Sequence, residues 1–309
     1  MSTMTPSEAF AHPALFYRTE QEYTQQTVAF LREGLAIGEP AAVAVPGPNL
    51  ELIKTGLGAD AEGITFLDMT DVGRNPGRII PRVLRGFADR HPHGRVRIIG
   101  EPIWAGRSAA EYPACAQHEA LINAAFEGRA ATILCPYDEG RLDAEVIADA
   151  RITHPTVISN GREEASDAYD WRAVVARYNE MLVPAVDAAV FSFTDPLLPA
   201  VRQFAVAHAM RLGLTGQRLG DAELAVAELT TNSVRHGGGQ GTLAVWSEAG
   251  QFVCEVRDAG RLSDPLAGRR PPDPTQLGGR GLLLVHYVAD LVRVHASEDG
   301  TVIRFYLGL

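Results

Sequence analysis

Glu228-Leu229-Thr230-Thr231-Asn232-Ser233-Val234-Arg235-His236 decides how this chain of 309 residues is read. Glu228, Asn232 and His236 recur every four residues. Each step of four drifts by only about 40° around a helix axis, so all three project from one face. A carboxylate, a carboxamide and an imidazole placed this way suit a hard cation, phosphate and a base better than they suit a core. Some forty residues on, Gly278-Gly279-Arg280-Gly281-Leu282 opens an apolar helix running to Val288. Glycines let backbone N–H groups approach phosphate oxygens, and a helix N-terminus favours the anion. Between the two lies Asp258-Ala259-Gly260, directly after the strand-like Phe252–Val256.

Working outward, helical patterns over Leu197–Leu212 and Gln217–His236 follow a short strand, Val190–Phe193. Paired strands are expected at Thr242–Ser247 and Phe252–Arg257. A Pro/Gly/Arg-rich loop spans Asp258–Leu277, and two closing strands, Leu291–Ala296 and Thr301–Leu307, meet at Ser-Glu-Asp-Gly, a good hairpin turn. Helices segregated from a sheet mark an α+β two-layer sandwich. The N-terminal half alternates instead. Strands at Ala14–Tyr17, Ala41–Val45, Ile64–Leu67, Val96–Ile99 and Thr132–Cys135 are interleaved with helices at Glu22–Gly34, Asn49–Leu57, Arg78–Arg90 and Glu111–Glu127. That order predicts an α/β domain with a mostly parallel sheet. The mixed segment Arg151–Asp170 reads as a junction, followed by a helix at Trp171–Leu182 whose apolar residues fit either neighbour. The expected division is 10–155, a linker with connecting helix over 156–188, and 189–309.

Composition fits two ordinary globular domains: 46% of residues are hydrophobic and 21% charged. A net charge of -10, with no block of like charges, argues against bulk electrostatic binding to nucleic acid or an acidic membrane. Three cysteines without C-x-x-C spacing imply neither a disulfide framework nor a zinc knuckle. No apolar run reaches membrane-spanning length, and the N-terminus does not read as a signal peptide, so the expectation is a cytoplasmic protein.

The order of the three C-terminal motifs resembles the GHKL ATPases with their Bergerat fold, and most closely the anti-sigma-factor serine kinases. The resemblance covers about 190–309 and implies ATP and Mg²⁺ as ligands. It makes Glu228 the catalytic base, has Asn232 hold Mg²⁺, and pairs Asp258 with the adenine amino group. Gly260 lets the backbone pass the base. The run Gly278, Gly279, Arg280, Gly281 and Leu282 holds the phosphates, and Thr301 supplies a hydroxyl near the adenine. His236 either contacts a phosphate or caps its helix, and Arg269–Pro274 forms a lid. The sequence departs from the fuller pattern of this family at Asp258-Ala259-Gly260-Arg261-Leu262, which has one glycine where many members have two. That puts turnover in question.

In the N-terminal half, His12-Pro-Ala-Leu-Phe-Tyr-Arg, Arg97-Ile-Ile-Gly-Glu-Pro-Ile-Trp104, His118-Glu119-Ala-Leu and Leu134-Cys135-Pro-Tyr137-Asp138 resemble the MEDS sensory domain. This resemblance covers about 10–155 and implies a RecA-like α/β fold used for sensing. Lys54-Thr55 lacks the glycines of a phosphate cradle, in agreement. Candidate sensory residues are His12, Glu101, Trp104, His118, Glu119, Cys135 and Tyr137. Ligands bind outside the carboxyl ends of strands in open α/β sheets, which favours Glu101 and Tyr137. His12, His118 and Cys135 form either a metal or redox site or, as the commoner outcome for cysteine, part of the core.

Together these readings predict a regulator in which a small signal at the N-terminal domain alters a C-terminal ATP site. The implied output is phosphorylation of serine or threonine on an anti-anti-sigma-like partner, or hold and release of a sigma factor. Two other outputs fit the same residues. One is an ATP-gated binding protein without phosphotransfer; the other is a histidine kinase acting in trans, with His118 as acceptor. Relatives of the C-terminal domain often dimerise, so a homodimer is an expectation by analogy.

Overall fold

The computed structural model describes residues 10–271 and 279–309. Two compact units divide at Tyr178/Asn179.

In the first unit, strands β1 (Phe10–Ala11), β2 (Pro13–Tyr17), β3 (Ala41–Val45), β4 (Thr65–Asp68), β5 (Val96–Gly100), β6 (Ala131–Asp138), β7 (Thr156–Ser159) and β8 (Arg162–Ala165) form one sheet. The order is β4-β3-β5-β6-β2-β7-β8, with β1 beside β6. Every pairing is parallel except β7 with β8. Helices α1 (Glu20–Ala36) and α2 (Gly47–Leu57) cover one face, where Leu31, Ile53, Val43, Ile99 and Leu134 share a buried cluster. Thr19 caps α1 by accepting from the Glu22 N–H at 3.2 Å, while Glu22 accepts from the Arg18 N–H at 2.8 Å. This reciprocal arrangement satisfies one orphan donor of the helix and the N–H of the residue before its N-cap.

Helices α3 (Tyr112–Ala125), α4 (Ala144–Thr153) and α5 (Trp171–Arg177) complete the unit. Two expectations change here. The helix foreseen at Arg78–Arg90 is a succession of a 3₁₀ turn (Pro76–Arg78), a π-helical turn (Ile79–Leu84) and an α-turn (Arg85–Ala88). Pro81 has no N–H to give the α ladder, and a shifted ladder accommodates it. The segment read as a junction is structured: β7 and β8 form a hairpin that extends the sheet, and α5 packs on α3 through Ala116, Ala120, Val174 and Tyr178. The turn residues Asn160-Gly161, both at positive φ, join β7 to β8 and had read as linker composition.

The second unit is an antiparallel five-stranded sheet, β12-β13-β11-β10-β9. Its strands are β9 (Ala189–Thr194), β10 (Gln240–Glu248), β11 (Gln251–Asp258), β12 (Leu291–Ser297) and β13 (Gly300–Gly308). Helices α6 (Leu198–Leu212), α7 (Gly216–His236) and α8 (Gly281–Val288) form the second layer. Phe252, Cys254 and Val256, alternate residues of β11, join Val201, Ala225, Val226, Leu229 and Val285 in the core. On the opposite face Arg304 donates from Nη2 to Glu255 Oε2 at 2.7 Å and lies over Trp246. Residues 179–183 run along this unit: Asn179 brackets the backbone of Ala296, and Arg304 donates to the Val183 carbonyl. The two-layer α+β sandwich and the mostly parallel α/β domain are therefore both as the sequence implied. No helix among the described residues is long and apolar enough to cross a membrane.

Candidate functional site

Helix α7 sets the C-terminal site. Ala222, Ala225, Val226, Leu229 and Ser233 bury its core face. Adjacent helix positions lie about 100° apart, so Glu228 and Asn232 fall on the flank of that face and remain half-buried. The first residue of α8 sits against them. A Cβ added at Gly281 would lie 2.6 Å from Glu228 Oε2 and 3.1 Å from Asn232 Nδ2. A larger residue would have to push the Glu228 carboxylate aside, and glycine brings the N–H groups of a helix N-terminus close beside a carboxylate and a carboxamide. Among the described residues, neither side chain has a hydrogen bond or ion pair of its own. An oxygen-rich pair without protein partners, beside unspent backbone donors, fits a hard cation and phosphate oxygens.

Asp258 ends β11 opposite Thr301 of β13. Its carboxylate accepts from the Ser233 hydroxyl at 2.6 Å and from the Gly260 N–H at 2.8 Å. Thr301 fastens the turn: its hydroxyl donates to the Gly260 carbonyl at 2.7 Å and accepts from the Leu262 N–H at 3.1 Å. A side chain at Gly260 would collide with the backbone of His236 and Gly237. The end of α7 and the Asp-x-Gly turn therefore meet backbone to backbone, and the carboxylate is fixed with lone pairs left over for a ligand amine. Replacing Asp258 with Asn should turn an amide donor toward Ser233 or Gly260 and lose the acceptor. ATP affinity by calorimetry should fall at least about tenfold, and the preference for ATP over GTP should collapse.

The other expected residues fall as follows. His236 is the last residue of α7 and is exposed; Arg280 and Gly279 are exposed just before α8. Gly278 lies outside the described residues, as does the second half of the foreseen lid, 272–274; in its first half Arg269 is buried and Arg270 is exposed. Leu282 does not line the site: its side chain is 7% exposed and belongs to the core, so only its backbone is available to a ligand. Thr301 is also 6% exposed and is spent on the turn. Sequence reasoning missed Ser233 and Gly237. Ser233 sits one residue past Asn232, where its hydroxyl reads as an ordinary helix serine, and only the fold brings Asp258 to it.

In the first unit a cleft of about 660 Å³ opens at the carboxyl ends of the parallel strands, lined among others by Tyr17, Asn49, Glu101, Trp104, Asp138 and Arg141. Glu101 is buried at its base, accepting from Asn49 Nδ2 at 2.8 Å and from the Tyr23 hydroxyl at 3.2 Å. Burial pushes its pKa up to about 8, against the opposing hydrogen bonds from Asn49 and Tyr23. Glu101 thus presents a neutral acid group near pH 7, able to donate as well as accept. Trp104, stacked under Arg107 at 3.9 Å, forms part of the rim.

Tyr137, expected at the same strand ends, is not in this cleft. It is buried edge-on to His154, 5.6 Å between ring centroids. His12 and Cys135 do come together, with His12 Nε2 3.4 Å from Cys135 Sγ. His118 does not join them: it is buried, and its place is taken by its neighbour Glu119 and by His154. Successive helical residues point some 100° apart, so only one of His118 and Glu119 faces the strands here. Burial of His118 also removes it as a phosphoacceptor. A redox role for Cys135 is disfavoured, because burial and then the Glu119 carboxylate push its thiol well above the usual range.

Residues 11–155 match the model of MEDS, the MEthanogen/methylotroph, DcmR Sensory domain. Residues 191–307 match the model of the Histidine kinase-like ATPase domain. The chain carries these two domains in that order, each within one of the two units. No curated protein matches the chain.

Proposed function

We propose that this union of a MEDS sensory domain with a histidine kinase-like ATPase domain is a cytoplasmic switch. In it, a small molecule in the Glu101 cleft biases Mg-ATP-dependent phosphorylation of a serine or threonine on a partner protein. The observation that carries the kinase half is the pairing of Glu228 and Asn232, without a hydrogen-bond partner among the described residues, against the glycine that opens α8. Asn232 would hold Mg²⁺, which neutralises phosphate charge and orients the γ-phosphoryl group. Backbone N–H groups at the start of α8 would receive the phosphates, and Asp258 the adenine amino group. The partner's hydroxyl oxygen bonds to the γ-phosphorus as the bond to the β,γ-bridging oxygen breaks. ADP leaves with that electron pair, and the hydroxyl proton passes to Glu228. The resemblance to anti-sigma kinases makes an anti-anti-sigma-like protein, or a sigma factor, the partner class to test first.

The sensory half rests on the cleft. A neutral carboxylic acid, a carboxamide and aromatic walls, with Asp138 and Arg141 also in the lining, suit a small polar organic molecule.

A second reading, ATP-gated partner binding without transfer, is favoured by the single glycine at Asp258-Ala259-Gly260, whose turn Thr301 already closes. Glu228→Gln separates the two. A catalytic Glu228 predicts nucleotide affinity within about threefold of wild type, with ADP or phosphoprotein formation reduced by about 10²–10⁴. Normal affinity with no ADP or phosphoprotein from the wild-type chain would establish the second reading instead.

A further inference from the structure

His12, Glu119, Cys135 and His154 place one ligand atom each within 4.8 Å of one another, and all four side chains are buried. They come from four places: the break between β1 and β2, the middle of α3, β6, and the residue after α4. His154 Nε2 lies 3.2 Å from Glu119 Oε2, His12 Nε2 lies 3.6 Å from the same oxygen, and Cys135 Sγ lies 3.4 Å from His12 Nε2. With Zn–N near 2.0–2.1 Å and Zn–S near 2.3 Å, the edge of a tetrahedral coordination sphere is about 3.3–3.7 Å. The three separations, 3.2, 3.6 and 3.4 Å, lie close to that length, and all four ligand atoms fall within 4.8 Å of one another.

The outer hydrogen bonds fix both rings. His154 Nδ1 is 2.8 Å from the Ala150 carbonyl, which has no proton to give, so Nδ1 carries the hydrogen. Asn123 donates from Nδ2 to the carbonyls of Thr153 at 2.9 Å and Ala120 at 3.1 Å. That orients its Oδ1 toward His12 Nδ1, 3.4 Å away, and makes this nitrogen the donor too. Each imidazole therefore turns Nε2 inward, toward Glu119, in the way metal-binding histidines are held by carbonyl or carboxylate partners behind them.

What faces them inside is not satisfied by protein. Both oxygens of Glu119, Nε2 of His154 and the hydroxyl of Tyr137 are buried without a hydrogen bond. Buried polar atoms left in such a state ask for a missing proton or ion. Protons serve poorly, because the His12 and His154 rings lie 4.1 Å apart and two imidazolium charges there would repel. A divalent cation would take the inward lone pairs of both imidazoles, the Glu119 carboxylate and the Cys135 sulfur at once. The carboxylate and a thiolate balance its charge, both imidazoles stay neutral, and the donor set of two nitrogens, one oxygen and one sulfur suits zinc or a neighbouring transition metal.

We propose that His12, Glu119, Cys135 and His154 form a closed four-ligand site for a divalent transition-metal cation inside the sensory domain. It is separate from the Glu101 cleft, ties β6 and the start of β2 to α3 and the end of α4, and does not depend on the ATP-site reading. The full-length chain is loaded with Zn²⁺, dialysed against a weak chelator and analysed for metal. Wild type should retain about one equivalent, as should Cys254→Ala, which changes a buried cysteine of the other unit. Cys135→Ser and His154→Gln should fall below about a tenth of that. Because these variants change buried residues, wild type is also loaded with Co²⁺: thiolate-to-metal charge-transfer bands and intense visible bands mark a tetrahedral site containing Cys135. Absence of bound metal in folded wild type, zinc retention unaffected by Cys135→Ser in a folded variant, or a cobalt spectrum without the thiolate band would overturn the proposal. Any of these would leave a buried carboxylate–imidazolium ion pair.

Discussion

Asn232→Ala should lower Mg-ATP affinity by at least about 100-fold, equivalent to about 2.7 kcal/mol, while leaving the fold intact. The argument is local. Asn232 is half-buried on the flank of α7, contributes nothing to the core cluster, and makes no hydrogen bond among the described residues. Its removal therefore leaves no orphaned protein group, and alanine is the best helix former at that position. On the proposed function, what is lost is an oxygen ligand for Mg²⁺ beside the N-terminus of α8, which Gly281 lets approach closely. Calorimetry with and without magnesium reads the effect. The magnesium dependence should disappear with the affinity. An affinity unchanged by the substitution would show that the face of α7 does not meet the nucleotide.

Glu101→Gln is expected to flatten the pH dependence of the sensory domain's stability. The folded-state pKa of Glu101 is raised by burial to about 8. Below the ordinary carboxylate range both folded and unfolded chains hold the proton, and the group costs nothing. As pH rises from about 4.5 toward 8 the unfolded chain releases it first, so the folded state binds more protons and loses stability through that window. Above about pH 8 the loss is complete and constant, on the order of several kcal/mol. Glutamine keeps an acceptor for Asn49 and has no charge to bury. Thermal unfolding of the full chain at pH 5, 7 and 9 tests this on the transition that Mg-ATP does not shift. Glutamine should match wild type near pH 5 and exceed it increasingly toward pH 9. Parallel curves for the two chains would mean that Glu101 is solvated or already ionised.

Much of this was legible in the sequence because it is written in local spacing. Glu228, Asn232 and His236 recur at a helical period, Asp258-Ala259-Gly260 closes a β-rich run, and Gly281 starts an apolar helix. Each signal survives without knowing what lies opposite. The strands and helices of both domains were found for the same reason: hydrophobic periods of two and 3.6 are properties of one segment. Misreadings came where a segment's role depends on a neighbour. Asn160-Gly161 looked like linker and is the turn of a hairpin, because β2 offers β7 an edge to pair with. Leu282 followed the glycines and was assigned to the nucleotide, yet it packs in the core beneath them.

The chain by itself thus determined two domains of the stated classes and the motifs from which an ATP site is read. Only the tertiary structure decided which side chains meet. It set Ser233 against Asp258, moved Tyr137 away from the Glu101 cleft, and exchanged His118 for Glu119 and His154 around His12 and Cys135. The physical reason is that strand pairing and helix-on-sheet packing join segments far apart in sequence, so distances across a domain bear no relation to spacing along the chain. A helix turns by about 100° per residue. Which of two adjacent polar residues, His118 or Glu119, faces the strands is therefore fixed by how α3 is rotated on the sheet.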